Sequence, residues 1–104
     1  MATLLHARLT AWKFKPGKRG EAVKIVEESL DEIRKNKGFR GLVTLLTKSD
    51  PNSAMFLALW DSEEDLKASE KGIYAKVSGK AMSLAEGPPE LKNLEVPRAL
   101  LSLL

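Results

Sequence analysis

Residues 3–12 hold the side chains of this sequence that are best suited to chemistry, and they follow an alternating pattern. His6, Arg8 and Trp12 fall on even positions of the stretch TLLHARLTAW. An imidazole can act as a general base, and a guanidinium can stabilise an anion. Because side chains of a β-strand alternate between two faces, these three residues share one face if the stretch is a strand.

A second group of candidates comes from residues 55–60, where the apolar run MFLALW ends on Trp60 and is followed by DSEED. If this strand lies antiparallel beside residues 3–12, the start of one strand meets the end of the other. His6 is then expected near Trp60, with Trp12 at the opposite end of the sheet. We therefore predict His6, Arg8 and Trp60 as catalytic residues. The predicted substrate-binding residues are Trp12, Arg40, Phe56 and Tyr74.

Simpler interpretations of these residues stay open from the sequence. His6, the only histidine, can be a general base, an axial haem ligand or a hydrogen-bonded strand residue. A single histidine cannot form a multi-histidine metal site, so no metal site is predicted. Trp60 and Phe56 can be interface core as well as substrate wall. Arg8 and Arg40 can pair with acids across the dimer, and Tyr74 can be a proton donor or a half-buried helix residue.

The composition excludes several classes of protein. The chain has 104 residues, no cysteine and a net charge of +3, which excludes disulfides and thiolate sites and is compatible with a cytoplasmic setting. The sequence contains no run of about eighteen apolar residues, so no membrane span is predicted. The N-terminal stretch is a poor signal peptide. Lys13, Lys15, Lys18 and Arg19 crowd one loop; we interpret them as solvated surface, with no nucleic-acid partner.

The apolar periodicity predicts six elements in a single domain of residues 1–104, with a core over 3–96 and an apolar tail over 97–104. Strands are predicted at 3–12, 39–48, 53–60 and 91–96, and helices at 18–36 and from 62 to the EGPPE segment. Ser62 is the predicted N-cap of the second helix, in which Gly72 and Gly79 make a break possible. No phosphate-binding glycine loop, HExxH motif or nucleophile-elbow serine occurs.

This order of elements favours an α+β, ferredoxin-like βαββαβ fold: a four-stranded antiparallel sheet with both helices on one face. We expect the other face to look away from the helices and to pack against a second copy, forming a homodimer with a shared chamber. The side chains expected on that face are Leu4, Trp12, Leu42, Leu46, Phe56 and Trp60. The alternative is a monomer in which the tail forms a helix that covers the sheet.

Several stretches together resemble the antibiotic biosynthesis monooxygenase (ABM) domain of the dimeric α+β barrel superfamily. They are FKPGKRGEAVKIVEESLDEI, KGFRGLVTLL, DPNSAMFLALWDSEEDLKAS and GPPELKNLEV. The resemblance covers about residues 3–96 and implies the fold of a dimeric α+β barrel. It also implies an active-site role for Trp60, and a pocket-facing polar residue on the first strand, which is His6 or Arg8 here.

The resemblance implies a cofactor-independent monooxygenase that acts on a small aromatic substrate in a pocket between the sheet and the helices of a homodimer, with no cofactor. The alternative is a non-catalytic dimer that binds a small hydrophobic ligand or has a regulatory role. Haem binding or degradation is disfavoured, because Ser69 stands where haem-degrading relatives have a histidine on the second helix. Haem would then depend on His6.

Overall fold

The computed structural model describes residues 3–100 and contains eight elements. The strands are β1 (Leu5–Lys13), β2 (Phe39–Leu46), β3 (Ser53–Trp60) and β4 (Glu90–Val96), and the helices are α1 (Arg19–Glu28), α2 (Leu30–Arg34), α3 (Glu63–Lys71) and α4 (Ile73–Met82). The four predicted strands are confirmed, with their ends shifted by at most two residues. None of the helices within residues 3–100 has the length and apolar character needed to cross a membrane.

The four strands form one antiparallel sheet in the order β2-β3-β1-β4, which confirms the ferredoxin-like prediction. In the β1–β3 pair, His6 lies opposite Trp60 and Trp12 lies opposite Ala54. The predicted placement of His6 and Trp12 at opposite ends of the sheet is therefore confirmed. Strand β4 pairs with the other edge of β1, where Arg8 lies opposite Asn93.

Each of the two predicted helices is divided into two shorter ones. The break between α3 and α4 lies at Gly72, which has φ −113° and ψ −107°, and it confirms the break that its glycine made possible. Gly79 lies inside α4 and causes no break. The break between α1 and α2 at Ser29 was not predicted; there the hydroxyl donates to the carbonyl of Ile25 at 2.8 Å, a bond that bends helices. Ser62 caps α3 as predicted, accepting from the Asp65 N–H at 3.0 Å.

The prediction that Trp12, Phe56 and Trp60 look away from the helices is wrong. All three are buried in one core cluster with residues of α3 and α4, including Leu66 and Val77. Of the other side chains expected on an open face, Leu42 packs against the same core, while Leu4 and Leu46 are exposed. A tryptophan beneath the helices of its own chain does not face a second copy, so the predicted position of Trp60 in a chamber between subunits is also wrong, while the homodimer stays a prediction.

The error has a physical cause in strand β1. Arg8 and Thr10 interrupt the apolar pattern on the even face, which suggested a face turned away from the core. The structure buries both residues, at 2% and 4% exposure, because α3 supplies hydrogen-bond partners for Arg8. Buried polar groups are tolerated where they are bonded in this way.

The opposite face of the sheet has no helix over it within residues 3–100. Cross-strand partners share a face, so the register places a largely apolar surface there, with Lys92 and Glu90 of the edge strand β4 among its charged members. Its apolar members are Leu5, Ala7, Leu9, Ala11, Val43, Leu45, Met55, Leu57, Leu59, Leu94 and Val96. Residues 97–100 of the predicted tail form no helix, and Leu100 is exposed; residues 101–104 lie outside the described residues.

Gly38, which directly precedes β2, lies in close contact with the side chain of Asp65 on α3. It has φ +81°, and a Cβ there would lie 2.6 Å from Cγ of Asp65. Gly17 has nearly the same φ, +78°, but a Cβ at that residue would meet nothing within 4 Å. We expect Gly17→Ala to cost about 1–2 kcal/mol of unfolding free energy from the left-handed backbone alone. Gly38→Ala should cost about 1–3 kcal/mol more from overpacking. Urea unfolding of both variants checks this; equal losses would contradict the contact with Asp65.

Candidate functional site

A cavity of about 80 Å³ lies between the helix-covered face of the sheet and α4. The sheet contributes Arg8, Thr10, Trp12, Phe56 and Trp60, and α4 contributes Ile73, Tyr74, Val77, Ser78 and Ala81. Several lining residues, such as Phe39, Leu42 and Tyr74, are half-buried, so the cavity reaches the surface. Its walls are almost entirely apolar, which is typical of sites for small organic ligands.

Trp60 lines the cavity and is packed against Phe39. It is 2% exposed, and its ring meets Phe39 edge to face, with centroids 5.4 Å apart and planes at 71°. The indole Nε1–H is buried and has no hydrogen-bond partner among residues 3–100. A buried donor without a partner costs about 1–3 kcal/mol. A ligand oxygen in the cavity is the kind of group that would satisfy it.

Arg8 is the only cation that lines the cavity among the described residues, and α3 fixes its position. Its Nη2 donates to the carbonyl of Leu66 at 2.7 Å and to Oγ of Ser69 at 2.9 Å. The Ser69 hydroxyl in turn donates to the Leu66 carbonyl at 2.6 Å. The Nε–H of Arg8 is buried and has no partner within the described part of the chain. The guanidinium is thus anchored through one nitrogen, and a second N–H is left for another acceptor.

The positive charge of Arg8 is only partly balanced. Its nearest carboxylate is Glu70, whose Oε1 lies 3.6 Å from Nη2 and whose side chain is 38% exposed. The same oxygen accepts a bond of 3.4 Å from Nδ2 of Asn93 on β4. Burial lowers the pKa of Arg8, and Glu70 opposes that effect. An arginine nevertheless stays protonated in proteins, so the cavity wall is cationic at neutral pH.

Tyr74 on α4 lies against the same guanidinium. The Cζ atom of Arg8 is 4.5 Å from the centroid of the tyrosine ring, a cation–π distance. Burial raises the pKa of the Tyr74 hydroxyl, while the positive charge of Arg8 lowers it and the negative charge of Glu70 raises it. At neutral pH the phenol is therefore protonated and cannot serve as a base.

Five of the seven predicted site residues line this cavity: Arg8, Trp12, Phe56, Trp60 and Tyr74. The other two do not. His6 is half-buried on the same face as Trp60 but outside the cavity. Arg40 is exposed and pairs with Asp61 of its own chain at 3.0 Å, whereas a pair with an acid across the dimer stays a prediction. These positions leave the proposed roles of all seven residues as predictions.

The acidic partner of Arg8 could not be identified from the sequence. Glu70 belongs to a helix with many exposed acids, and nothing in its spacing distinguishes it from them. Ser69 carried a usable signal, because it falls between Leu66 and Ile73 on the buried stripe of the second predicted helix. A hydroxyl at such a position needs a buried partner, and a polar strand residue such as Arg8 is a candidate for it.

The residues present do not fit haem. His6 does not line the cavity, and the Ser69 hydroxyl is engaged with Arg8 and Leu66. A cavity of about 80 Å³ is about half the volume of an engineered cavity, about 150 Å³, that holds benzene. Within the described part of the chain, no group of three His, Cys, Asp or Glu side chains is arranged to hold a metal ion.

The basic loop that precedes α1 is largely engaged in contacts within the chain. Lys13 pairs with Asp50 at 2.6 Å, and Lys15 donates to the Ser83 carbonyl at 3.0 Å. Arg19 donates to three backbone carbonyls at 3.0–3.3 Å. Lys13, Lys15 and Lys18 are nevertheless exposed, as expected of solvated surface, and the absence of a nucleic-acid partner stays a prediction.

Comparisons with known proteins agree with this architecture. The family model described as "Antibiotic biosynthesis monooxygenase" matches residues 6–77. A solved protein of unknown function from Nitrosomonas europaea aligns with a TM-score of 0.80 and 20% identity, covering 97% of each chain. SnoaB, a cofactor-independent oxygenase from Streptomyces nogalater, aligns with a TM-score of 0.78 and 11% identity, covering 94% of this chain and 98% of that one. A search of curated proteins found no significant match.

The ionisation of Tyr74 tests the electrostatics of the cavity directly, because it is the only tyrosine in the chain. We expect the phenolate absorbance of the native protein to develop at a pH above that of the urea-unfolded protein, since burial raises the pKa. Glu70→Gln should lower the native midpoint, because it removes a negative charge that raises this pKa. Arg8→Met should raise it for the opposite reason. Identical midpoints in all three proteins would contradict the observed cluster.

Proposed function

Because the chain belongs to the antibiotic biosynthesis monooxygenase family, we propose that it is a cofactor-independent monooxygenase that oxidises a small aromatic substrate in the cavity beneath α4. The observation that carries the proposal is the pair of donors at that cavity without a partner among residues 3–100, Nε1–H of Trp60 and Nε–H of Arg8. Both residues line the cavity, but the two N–H groups are enclosed by surrounding side chains, so a ligand oxygen reaches them when the cavity widens. Such donors stabilise an oxygen atom that becomes negatively charged during a reaction.

The walls suit a flat ring. Phe56, Trp12 and Trp60 supply aromatic surface from the sheet, and Ile73 and Val77 supply aliphatic surface from α4. The volume of about 80 Å³ is well below the 300–1,000 Å³ of typical sites for drug-sized ligands. Because this volume is also below the roughly 150 Å³ of a cavity that holds benzene, a substrate with one aromatic ring requires α4 to move outward, and a tricyclic one requires a larger movement.

The proposed chemistry starts with loss of a proton from a phenol or from a carbon next to a carbonyl. The resulting anion is electron-rich enough to transfer electrons to molecular oxygen directly. For an activated methylene group, two hydrogens leave the carbon, one oxygen atom enters as a ketone, and the other leaves as water. The protein favours the anion, with Trp60 donating to its oxygen and Arg8 supplying positive charge.

SnoaB supports this proposal by its name, since it is a cofactor-independent oxygenase with the same fold. The likeness at 11% identity concerns the fold alone, so the argument for the reaction rests on the cavity of this chain. There, Trp60 offers an indole donor at the junction of β3 and α3, and Arg8 faces it diagonally across the β1–β3 pair.

Oxygen uptake tests the proposal. We expect oxygen to be consumed faster in a solution of an activated single-ring phenol that contains the purified protein, without added cofactor, than in the same solution without protein. Trp60→Phe keeps the ring but removes the donor, and loss of one such donor typically lowers kcat by about 10²–10³. Arg34→Met, on the exposed surface of α2, is the control. His6→Ala should have no comparable effect. Equal rates for wild type and Trp60→Phe would contradict the role of Trp60.

A non-catalytic ligand-binding protein is the second candidate, and one observation favours it. Among the described residues that line the cavity, there is no histidine, aspartate or glutamate that could accept a proton. A ligand that raises the melting temperature without any oxygen uptake or product formation would support this alternative.

We also propose that the chain forms a homodimer through the apolar face of the sheet defined above. Its exposed members include Val43, Leu45 and Leu94, and the surface runs across all four strands. A soluble protein rarely leaves so extensive an apolar surface exposed to water. A second copy covers it with a surface of the same shape, in a closed two-fold arrangement.

Two leucines of β4 provide a matched test of this dimer. Leu94 lies on the apolar face and is 41% exposed, whereas Leu91 points to the helix side and is 42% exposed. We expect Leu94→Glu to shift the protein to a monomer in sedimentation velocity runs, because it places a charge in the interface. Leu91→Glu should leave the dimer intact. A wild-type monomer at micromolar concentration would refute the interface.

A further inference from the structure

The buried guanidinium of Arg8 lacks a hydrogen-bond acceptor for Nε–H and a close negative charge. These two missing partners indicate which ligands the cavity can bind. Its two hydrogen bonds, to the Leu66 carbonyl and the Ser69 hydroxyl, both use Nη2 and both go to neutral groups. Nε–H has no partner among residues 3–100. The side chain is 3% exposed, so water compensates little of its charge.

We propose that the cavity takes an aromatic carboxylic acid and that Nε–H of Arg8 donates to its carboxylate. This inference rests on the proposed function, in which the cavity holds a small aromatic ligand, and it defines the class of that ligand. A bound carboxylate supplies both things that Arg8 lacks, a hydrogen-bond acceptor and a negative charge.

The existing carboxylate near Arg8 does not supply them. Glu70 is 3.6 Å from Nη2, beyond hydrogen-bond distance, and its side chain is 38% exposed. Solvent screens an ion pair of this kind, so that it contributes little. A ligand carboxylate inside the apolar cavity would be desolvated and would interact far more strongly with the same cation.

Nothing in the described cavity walls opposes an anion. Arg8 and Tyr74 are the only titratable side chains among the described lining residues. The hydroxyl of Tyr74 is neutral at physiological pH, since burial raises its pKa. A positively charged ligand, in contrast, would be placed beside Arg8 without a carboxylate to receive it.

The register places Arg8 and Trp60 close enough for one ligand to contact both. Arg8 lies opposite Ala58 in the sheet, so Trp60, two residues further along β3, is its diagonal neighbour on the same face. The backbones of diagonal neighbours in an antiparallel pair are roughly 7–8 Å apart. We therefore choose as the test ligand a benzene ring with a carboxylate for Arg8 and a hydroxyl for Trp60, where the proposed oxidation begins.

Calorimetry with two ligands of the same shape tests the inference. We expect 4-hydroxybenzoate to bind the wild-type protein at least about tenfold more tightly than 4-hydroxybenzamide, since a hydrogen bond between charged groups is worth about 1.5–3 kcal/mol. The two ligands differ in charge but hardly in size. Benzylamine, with the opposite charge, should not bind measurably.

Three variants separate a binding role of Arg8 from a structural one. Glu70→Gln removes the competing carboxylate and should increase the preference for the acid over the amide. Arg8→Met should abolish the preference, and Ser69→Ala should weaken it by releasing Nη2. Arg34→Met is the charge-matched control and should change nothing. Should Arg8→Met fail to fold, the opposite effects of Glu70→Gln and Ser69→Ala still carry the test.

The outcomes distinguish this inference from the proposed function. Equal affinity for the acid and the amide would overturn the inference but leave the aromatic cavity in place. Binding of neither ligand would overturn both. A clear preference for the acid without oxygen uptake by any hydroxylated aromatic acid would uphold the inference and refute the monooxygenase.

Discussion

One buried cation determines how the elements around the cavity are held together. Arg8 extends from β1, bonds to Leu66 and Ser69 of α3, and lies against the ring of Tyr74 on α4. Through Glu70, its surroundings reach Asn93 on β4. Burying a charge costs several kcal/mol unless its partners are well arranged, and apolar replacements of buried ion pairs often stabilise proteins. Stability alone is therefore a poor explanation for Arg8, and a role in binding accounts for the partner it lacks.

The sheet imposes a second constraint, because both of its faces are apolar. Trp12, Phe56 and Trp60 fill the space beneath the helices, while the opposite face carries leucines, valines and a methionine along every strand. The sequence was sufficient to predict the strands, their ferredoxin-like arrangement and the position of His6 near Trp60, because these depend on alternation and turn residues, but it did not predict the division of the first helix at Ser29. It was not sufficient to decide which face the helices cover, since both faces are apolar enough to be buried. Arg8 and Thr10 suggested the wrong face, because the burial of Arg8 depends on hydrogen bonds to α3, which no pattern in the strand itself reveals.

The same distinction explains which site residues could be predicted. Four residues were identified because their alternate positions along the strands place them on one face of the sheet: Arg8, Trp12, Phe56 and Trp60. They share that face whichever side of the sheet the helices cover. His6 is on the same face but lies opposite Trp60 at the end of the strand, outside the cavity that α4 covers. Glu70 could not be found, because its role depends on how α3 is rotated over β1. The volume of the cavity likewise depends on the seating of α4 after Gly72, which no local pattern in the sequence encodes.

The composition of the cavity limits its chemistry more strongly than the fold does. Its described walls offer two N–H donors and one positive charge, with no carboxylate and no histidine. Such walls lower the pKa of a bound phenol or activated carbon acid, but they do not supply a strong base. A proton must then leave to solvent at the rim, near the half-buried Tyr74 and Ser78. A substrate for this site must therefore have a low pKa already in water. The donors of Trp60 and Arg8 then need to lower that pKa only a little further for the anion to form.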